Sequence, residues 1–248
     1  MSESTGELRV IPVQGLPEIE AGAKLGELIA AAAEIEDGDL VVIAQKAVSK
    51  AEGRVRHLSS AIPGAEARKL AAVLGKEPAL VQLILDESAE VLRAERGVLI
   101  TETRHGFVCA NAGIDTSNLP DPDTVCLLPE DPDASARRIR SELNTTIGVV
   151  ISDSFGRAWR LGQAEVAIGC AGLTPLDDWR GRRDSSGRKL EATLIAVADQ
   201  AAAAADLVRS KDSRIPVAIV RGLDRFMTTD DGPGAAAIRR PQGEDLFR

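Results

Sequence analysis

The sequence predicts an α/β protein of the mixed α+β type, built from mixed sheets with flanking helices. Short apolar runs of strand length alternate with segments of helical periodicity, but without the regular βαβ rhythm of a purely parallel sheet. Apolar residues make up 44% of the 248 residues and charged residues 27%, which is typical of a globular protein with a sizeable core. No repeat or low-complexity linker divides the chain. We therefore expect one domain over residues 1–248, formed as one lobe or two, with a loop-rich tail over residues 223–248.

The first half of the chain predicts two strands, several helices and a group of short strands. Leu8–Val13 is β-branched and apolar and ends at the turn Gly15–Pro17, as a strand does. Apolar residues recur at helical spacing over Leu25–Ala32, and the continuous apolar run Leu40–Ala44 predicts a strand covered on both faces. The polar segment Gln45–Lys50 directly follows that run. Two helices are expected at Ala65–Leu74 and Pro78–Ser88, and several short strands are expected over Val91–Ala110.

The second half predicts a buried strand that ends in polar residues. Asp131-Pro132-Asp133 has the cap, the first-turn proline and the early acid of a helix start. Ile147–Ile151 predicts a buried strand with Ser152, Asp153 and Ser154 at its carboxyl end, where open α/β sheets place ligands. The last expected elements are an extended segment at Leu190–Val197, a helix at Ala198–Val208 and a strand at Pro216–Val220.

Charge and composition exclude several classes of partner. The 30 basic and 38 acidic residues give a net charge of −8, and aromatic residues are only 2% of the chain, so a nucleic-acid partner is not expected. The three cysteines are an odd number without a C-x-x-C pair, which suits a reducing cytoplasm. The acidic N-terminus lacks the features of a secretory signal, and no apolar run is long enough to cross a bilayer. We expect a cytoplasmic protein with no membrane partner.

Standard nucleotide-binding and hydrolase motifs are absent, so chemistry is sought in polar loops. Asn111–Asn118 offers one carboxylate at Asp115, with hydroxyls and amides that suit Mg²⁺ or Mn²⁺. A loop that caps itself through an Asx turn is the alternative, and the more common one. His57 and His105 stand without companion ligands, so a zinc site is not expected.

A second cluster follows the predicted strand, over Ser152–Arg160. Asp153 suits a metal that bridges phosphates, while Arg157 and Arg160 suit bidentate contacts to a phosphate or carboxylate. The alternative is a helix cap at Asp153 with solvated arginines. Lys46 and Lys50, after the earlier strand, are within reach of phosphates, although surface charge is the more common explanation for such lysines.

Taken together and in order, these segments resemble the coenzyme F420 gamma-glutamyl ligases, which extend the tail of a deazaflavin cofactor with glutamate. The resemblance extends from about Leu8 to Gly222, and the matching segments are Gly15–Pro17, Val48–Arg54, Asn111–Asp115 with Ser117-Asn118, Asp131–Asp133, Asp153-Ser154 with Gly156-Arg157, Gly187-Arg188, Ala198-Asp199 and Val220–Gly222. A set spread over most of the chain is far more specific than a single motif.

The resemblance implies GTP-dependent addition of L-glutamate, through a γ-linkage, to F420-0 and F420-1 by way of an acyl phosphate. It implies two Mg²⁺ or Mn²⁺ ions, with K⁺ as a further ion, and a homodimer. By similarity, Asp115 and Asp153 are ligands of the first metal and Ser154 assists at the second; with them, we expect Arg157 to be catalytic. The residues expected to line the GTP pocket are Leu16, Pro17, Glu18, Ile19, Gln45, Lys50 and Asn118.

The sequence departs from the family pattern at particular positions. Gln45 stands where relatives often have a small hydroxyl residue, and Ser154 replaces the more usual threonine. No ligand is assigned in the segment Arg209–Arg214, where the family has further nucleotide and metal contacts. Some bacterial members carry a nitroreductase-like domain after the ligase. Two other functions stay open at this point: a metal-dependent phosphohydrolase acting on a nucleotide or phosphate ester, and a non-catalytic cofactor-binding module.

Overall fold

The computed structural model describes residues 6–117, 119, 121–143 and 146–246. The strands, numbered in chain order, are β1 (Arg9–Pro12), β2 (Leu40–Ala44), β3 (Val55–His57), β4 (Ser88–Glu95), β5 (Val98–Thr103), β6 (Val108–Ala110), β7 (Thr124–Cys126), β8 (Gly148–Arg157), β9 (Arg160–Ala171), β10 (Leu176–Asp178), β11 (Leu194–Ala196) and β12 (Val217–Arg221). The α-helices are α1 (Leu25–Ala32), α2 (Gln45–Ala51), α3 (Ala65–Leu74), α4 (Pro78–Asp86), α5 (Pro132–Leu143) and α6 (Val197–Asp206). Among the described residues, no helix is both long and apolar enough to cross a lipid bilayer.

The main sheet has five strands in the order β1-β12-β2-β8-β9. Strands β2 and β8 run parallel, with Leu40 opposite Gly148 and Ala44 opposite Ser152. The other neighbours in this sheet are antiparallel. The predicted class of mixed sheets with flanking helices is therefore confirmed.

Both faces of the main sheet are covered, which explains the continuous apolar run of β2. Val41 and Ile43 belong to one core, which also contains residues of α1, α2 and α5. Leu40 and Val42 belong to a second core on the opposite face, formed with the alanines of α6 and with part of the C-terminal tail. Successive residues of a strand point to opposite faces, so a doubly covered strand has no polar alternation.

A smaller body of helices and strands packs around a third core. Strands β4, β5 and β6 form an antiparallel sheet, and α3 and α4 pack beside it. Its core includes Ile84 of α4, Leu99 of β5 and Val125 of β7, all of them fully buried. Strand β7 also pairs with β3, which follows α2 in the chain, so this body is joined to the carboxyl end of β2.

The largest departure from the sequence-based expectation is at β8. The predicted strand over Ile147–Ile151 continues to Arg157 and returns as β9, so Asp153 and Ser154 lie within a long hairpin and not in a loop. The alternative of a helix cap at Asp153 is wrong for the same reason. Polar residues were expected to end the strand, but the pairing partner in β9 supplies the backbone hydrogen bonds that keep it extended.

Two smaller boundaries also differ. The polar segment after β2, expected only to follow the strand, forms α2. The extended segment expected over Leu190–Val197 is strand only at Leu194–Ala196, and α6 already begins at Val197. These are differences of extent at element ends, where local patterns are least decisive.

Candidate active site

The polar residues singled out above collect at one edge of the main sheet. The parallel strands β2 and β8 end side by side, since Ala44 is paired with Ser152. Beyond Ala44 the chain enters α2, which includes Lys46 and Lys50, while β8 continues into its hairpin with Asp153 and Ser154. The carboxyl ends of parallel strands are the usual place for ligands in α/β sheets.

Asp115 is held at this edge by the backbone and by Lys46. The amide of Asp115 donates to the carbonyl of Cys126 at 3.0 Å, and the amide of Cys126 donates back at 2.8 Å. Lys46 Nζ lies 2.8 Å from Asp115 Oδ2, and the Ser117 amide donates to Oδ1 at 2.6 Å. Burial works against ionisation of this carboxyl group, but Lys46 and Ser117 outweigh it, so the pKa of Asp115 is lowered. Asp115 therefore remains a carboxylate.

Asp153, on β8, has the opposite electrostatic environment. Burial, the carboxylate of Glu165 and the carboxylate of Asp115 raise the pKa of Asp153 to about 7, against the opposing effects of the Ser154 amide and Lys211. The charge of Asp115 is felt at Asp153, so these residues from distant parts of the sequence lie within electrostatic range of each other. We call Asp115, Asp153 and Glu165 the acidic cluster.

Ser154 stands at the centre of a hydrogen-bond network beside the acidic cluster. Its hydroxyl donates to Glu165 Oε1 at 2.5 Å and accepts a hydrogen bond from Lys211 Nζ at 2.8 Å. The buried guanidinium of Arg209 donates to Ser152 Oγ at 3.1 Å and to Glu165 Oε2 at 3.4 Å. The hairpin register places Glu165 directly opposite Ser154, which explains how the network is assembled.

Three members of this network, Glu165, Arg209 and Lys211, were not identified as site residues from the sequence. Glu165 reaches Ser154 only through the pairing of β8 with β9. Arg209 and Lys211 lie between α6 and β12, and their proximity to β8 depends on the order of strands in the sheet. No local pattern marks such residues, because the contacts are all long-range.

The segment expected to line a nucleotide pocket packs against α2. Lys50 Nζ lies 2.5 Å from Glu18 Oε1, and Ile19 is buried in the core that α2 shares. Leu16 is half-buried against that core, whereas Pro17 is exposed. The structure therefore brings residues 16–19 and Lys50 together on one side of α2.

The other expected site residues have distinct environments. The buried Gln45 amide nitrogen donates to Ser49 Oγ at 2.7 Å and to the Leu127 carbonyl at 2.9 Å, so it ties α2 to the chain after β7. Arg157 lies near the exposed hairpin tip, and its guanidinium donates to the carbonyl of Leu161 at 2.7 Å. Asn118 lies outside the described residues.

The donor set at this edge consists of oxygen ligands. Across the described ranges, with their gaps at 118, 120 and 144–145, no three His, Cys, Asp or Glu side chains converge on a complete metal site. Magnesium-type sites commonly take only one or two protein carboxylates and complete the coordination with phosphate and water. The carboxylates of Asp115 and Asp153 are ligand types of that kind.

The chain is similar to known proteins over nearly its whole length. The family model described as F420-0:Gamma-glutamyl ligase matches residues 15–222. A coenzyme F420:L-glutamate ligase of Methanothermobacter thermautotrophicus is 44% identical, over 97% of this chain and 99% of the relative. Proteins of the same name from Methanopyrus kandleri and Haloarcula marismortui are 44% and 42% identical, each over 97% of this chain and over 98% and 96% of the respective relative. Because the family model matches residues 15–222, which include the acidic cluster, the chain belongs to the F420-0:gamma-glutamyl ligase family.

Proposed function

We propose that this protein is a GTP-dependent ligase that adds L-glutamate, through a γ-linkage, to F420-0 and F420-1 by way of an acyl phosphate. Family membership and the names of relatives that are 40–44% identical support the ligase activity. The observation that favours the phosphate-dependent route is that Asp153 of β8 and Asp115, which is paired with Lys46, lie within electrostatic range of each other.

The chemistry needs an activated carboxylate. In the first step, an oxygen of the F420-0 carboxylate attacks the γ-phosphorus of GTP, and GDP leaves with the bond electrons. In the second step, the amine of glutamate attacks the acyl carbon, phosphate leaves, and the amine gives up a proton. Both steps concentrate negative charge on phosphate oxygens, so catalysis depends on fixed positive charge and precise positioning.

The acidic cluster fits one divalent cation. The pKa of Asp153 is raised by burial and, beyond that, by the carboxylates of Glu165 and Asp115, and a bound cation would oppose all of these effects. Asp115 and Asp153 would hold one Mg²⁺ or Mn²⁺, which would neutralise and orient the phosphates of GTP. Lys46 keeps Asp115 ionised and is itself positioned near the phosphates, and Lys50 with residues 16–19 lines the nucleotide.

A test of the ligase proposal combines the protein with F420-0, glutamate, GTP and Mg²⁺ or Mn²⁺. We expect a product that is one glutamate heavier by mass spectrometry, and a second addition when F420-1 is supplied. Each substrate omitted in turn serves as a control. No mass increase with either metal would contradict the proposal.

The same assay distinguishes the other two functions. GTP hydrolysis that is unaffected by glutamate and F420-0 would favour a phosphohydrolase. The absence of any thermal stabilisation by GTP with a divalent metal would favour a non-catalytic module, since a ligand that binds the folded state must stabilise it.

We further propose that the protein is a homodimer. The tip of the β8–β9 hairpin exposes apolar side chains: Trp159 is 81% exposed and Leu161 is 97% exposed. An apolar tip on an extended hairpin is suited to pairing with a second copy of the chain. Sedimentation of the purified protein at micromolar concentration measures this directly, and a monomer would contradict it.

A further inference from the structure

The position expected to assist a second divalent cation already contacts a positive side chain. The family resemblance assigns Ser154 to a second metal, but in the structure the Ser154 hydroxyl accepts a hydrogen bond from Lys211 Nζ at 2.8 Å. Lys211 comes from the segment between α6 and β12, for which the sequence offered no ligand assignment. A lysine ammonium donates hydrogen bonds and accepts none, so it cannot be a ligand of a cation.

The hydrogen bonds of Ser154 leave little room for a second cation. The hydroxyl has one proton, which it donates to Glu165 Oε1 at 2.5 Å, and two lone pairs. Lys211 occupies one lone pair. A divalent ion on the other lone pair would lie within a few ångströms of the ammonium, where the two positive charges repel strongly.

Glu165, the carboxylate nearest to Ser154, is already paired with donors of the protein. Its Oε1 accepts from Ser154, and its Oε2 faces the buried guanidinium of Arg209 at 3.4 Å. Both carboxylate oxygens are therefore engaged by the protein. The residues at this position do not fit a second divalent cation, whereas those at Asp115 and Asp153 fit a first.

We propose that the Lys211 ammonium takes the place of a second divalent cation, so that each chain binds a single Mg²⁺ or Mn²⁺ together with its nucleotide. This inference rests on the proposed GTP-dependent ligase function. Lys211 is an exposed residue at the edge of the site. An ammonium acts on phosphate oxygens as a point charge that donates hydrogen bonds, which supplies part of the neutralisation that a metal ion would provide.

The test counts bound Mn²⁺ in the presence of a non-hydrolysable GTP analogue, guanosine 5′-(β,γ-imido)triphosphate. Free Mn²⁺ is measured by electron paramagnetic resonance during a titration of the protein–nucleotide complex, with nucleotide alone subtracted. The variants are Lys211→Gln, which removes the charge and adds an amide oxygen, and Lys211→Arg, which keeps the charge. Lys69→Gln, on the exposed side of α3, is the matched control.

We expect about one Mn²⁺ per chain in the wild type, in Lys211→Arg and in Lys69→Gln, and about two in Lys211→Gln. Two Mn²⁺ per wild-type chain would overturn the inference, and so would an unchanged count of one in Lys211→Gln. The ligase assay is read separately: a wild-type chain that makes the glutamylated product but binds two Mn²⁺ contradicts only the role of Lys211. A chain that makes no product contradicts the proposed function.

Discussion

The two ends of the central strand β2 handle charge in different ways. At its amino end, the buried Asp39 accepts hydrogen bonds from Arg221 Nε at 2.7 Å and from a terminal nitrogen of Arg221 at 2.8 Å. The amide of Glu36 also donates to Asp39 at 2.8 Å, and the Glu36 carboxylate lies 2.5 Å from Arg221. The Asp39 carboxylate thus has a fork-like arginine partner and a backbone donor. This end is a structural clasp between β2, β12 and the turn before β2.

The carboxyl end of β2 has crowded carboxylates instead. Burial, together with the carboxylates of Glu165 and Asp115, raises the pKa of Asp153 to about 7, even with Lys211 nearby. The buried Nε atom of Arg209 lacks a hydrogen-bond partner in the part of the chain that the structure describes. Charge that is balanced within the protein stabilises the fold, whereas charge that the protein leaves poorly balanced is suited to a ligand.

The largest expected effect is on ligase turnover, from a change in the acidic cluster at the carboxyl end of β2. Asp153→Asn removes a metal-ligand charge at almost constant volume, so we expect ligase turnover to fall by about 1,000-fold. The same change removes repulsion within the acidic cluster, so without metal the free energy of unfolding should stay the same or rise by about 1 kcal/mol. Product mass and urea unfolding measure the two effects. Wild-type turnover in this variant would show that Asp153 has no role in the chemistry.

At the amino end of β2, where Arg221 balances the charge of Asp39, the expected effect is on stability. Arg221→Met leaves the buried Asp39 without its partner, so the free energy of unfolding should fall by about 3 kcal/mol. Arg180→Met is the matched control, because the ion pair of Arg180 with Asp178 is exposed and its loss should leave the free energy of unfolding nearly unchanged. An equal loss of unfolding free energy in the two variants would show that the pair of Arg221 with Asp39 stabilises the fold no more than an exposed ion pair does.

The remaining expected effect is a pH dependence of stability. The pKa of Asp153 is raised in the folded state to about 7, so its contribution to stability is present below the unfolded pKa and is lost as pH rises through about 7. Without metal, the stability of the wild type relative to Asp153→Asn should therefore fall by about 4 kcal/mol between pH 4 and pH 8. Urea unfolding of both proteins across this range measures the difference. Mg²⁺ with GTP should abolish it, and a flat difference without metal would contradict the crowding of the acidic cluster.

Local sequence patterns were sufficient to predict many of the helices and strands. The run Leu40–Ala44 is β2 as predicted, because a strand covered on both faces has no other sequence signature than continuous apolar residues. Helix α5 begins at Pro132, immediately after the Asp131 that caps its amides, as the local chemistry predicted. The β8–β9 hairpin was missed, since its polar outer half is extended only because the two strands pair with each other.

The residues of the candidate site also divide into those that the sequence identified and those that it did not. Asp115 and Asp153 were identified because carboxylates in polar segments and a family resemblance marked them. Glu165, Arg209 and Lys211 were not, because each reaches the site through strand order and register. Gln45 was expected to contact nucleotide, and that expectation stays a prediction; the structure adds that its amide nitrogen ties α2 to Leu127.

By itself, the sequence determined the mixed α/β class, the buried strands, the helix starts and the residue types able to bind a cation, because these depend on periodicity and on neighbours a few residues apart. Only the tertiary structure decided which charges meet: Arg221 with Asp39 at one end of β2, and Lys211 with Ser154 at the other. Electrostatic interactions depend on distance in space, and residues 57 positions apart, as Ser154 and Lys211 are, become neighbours only when the sheet is assembled.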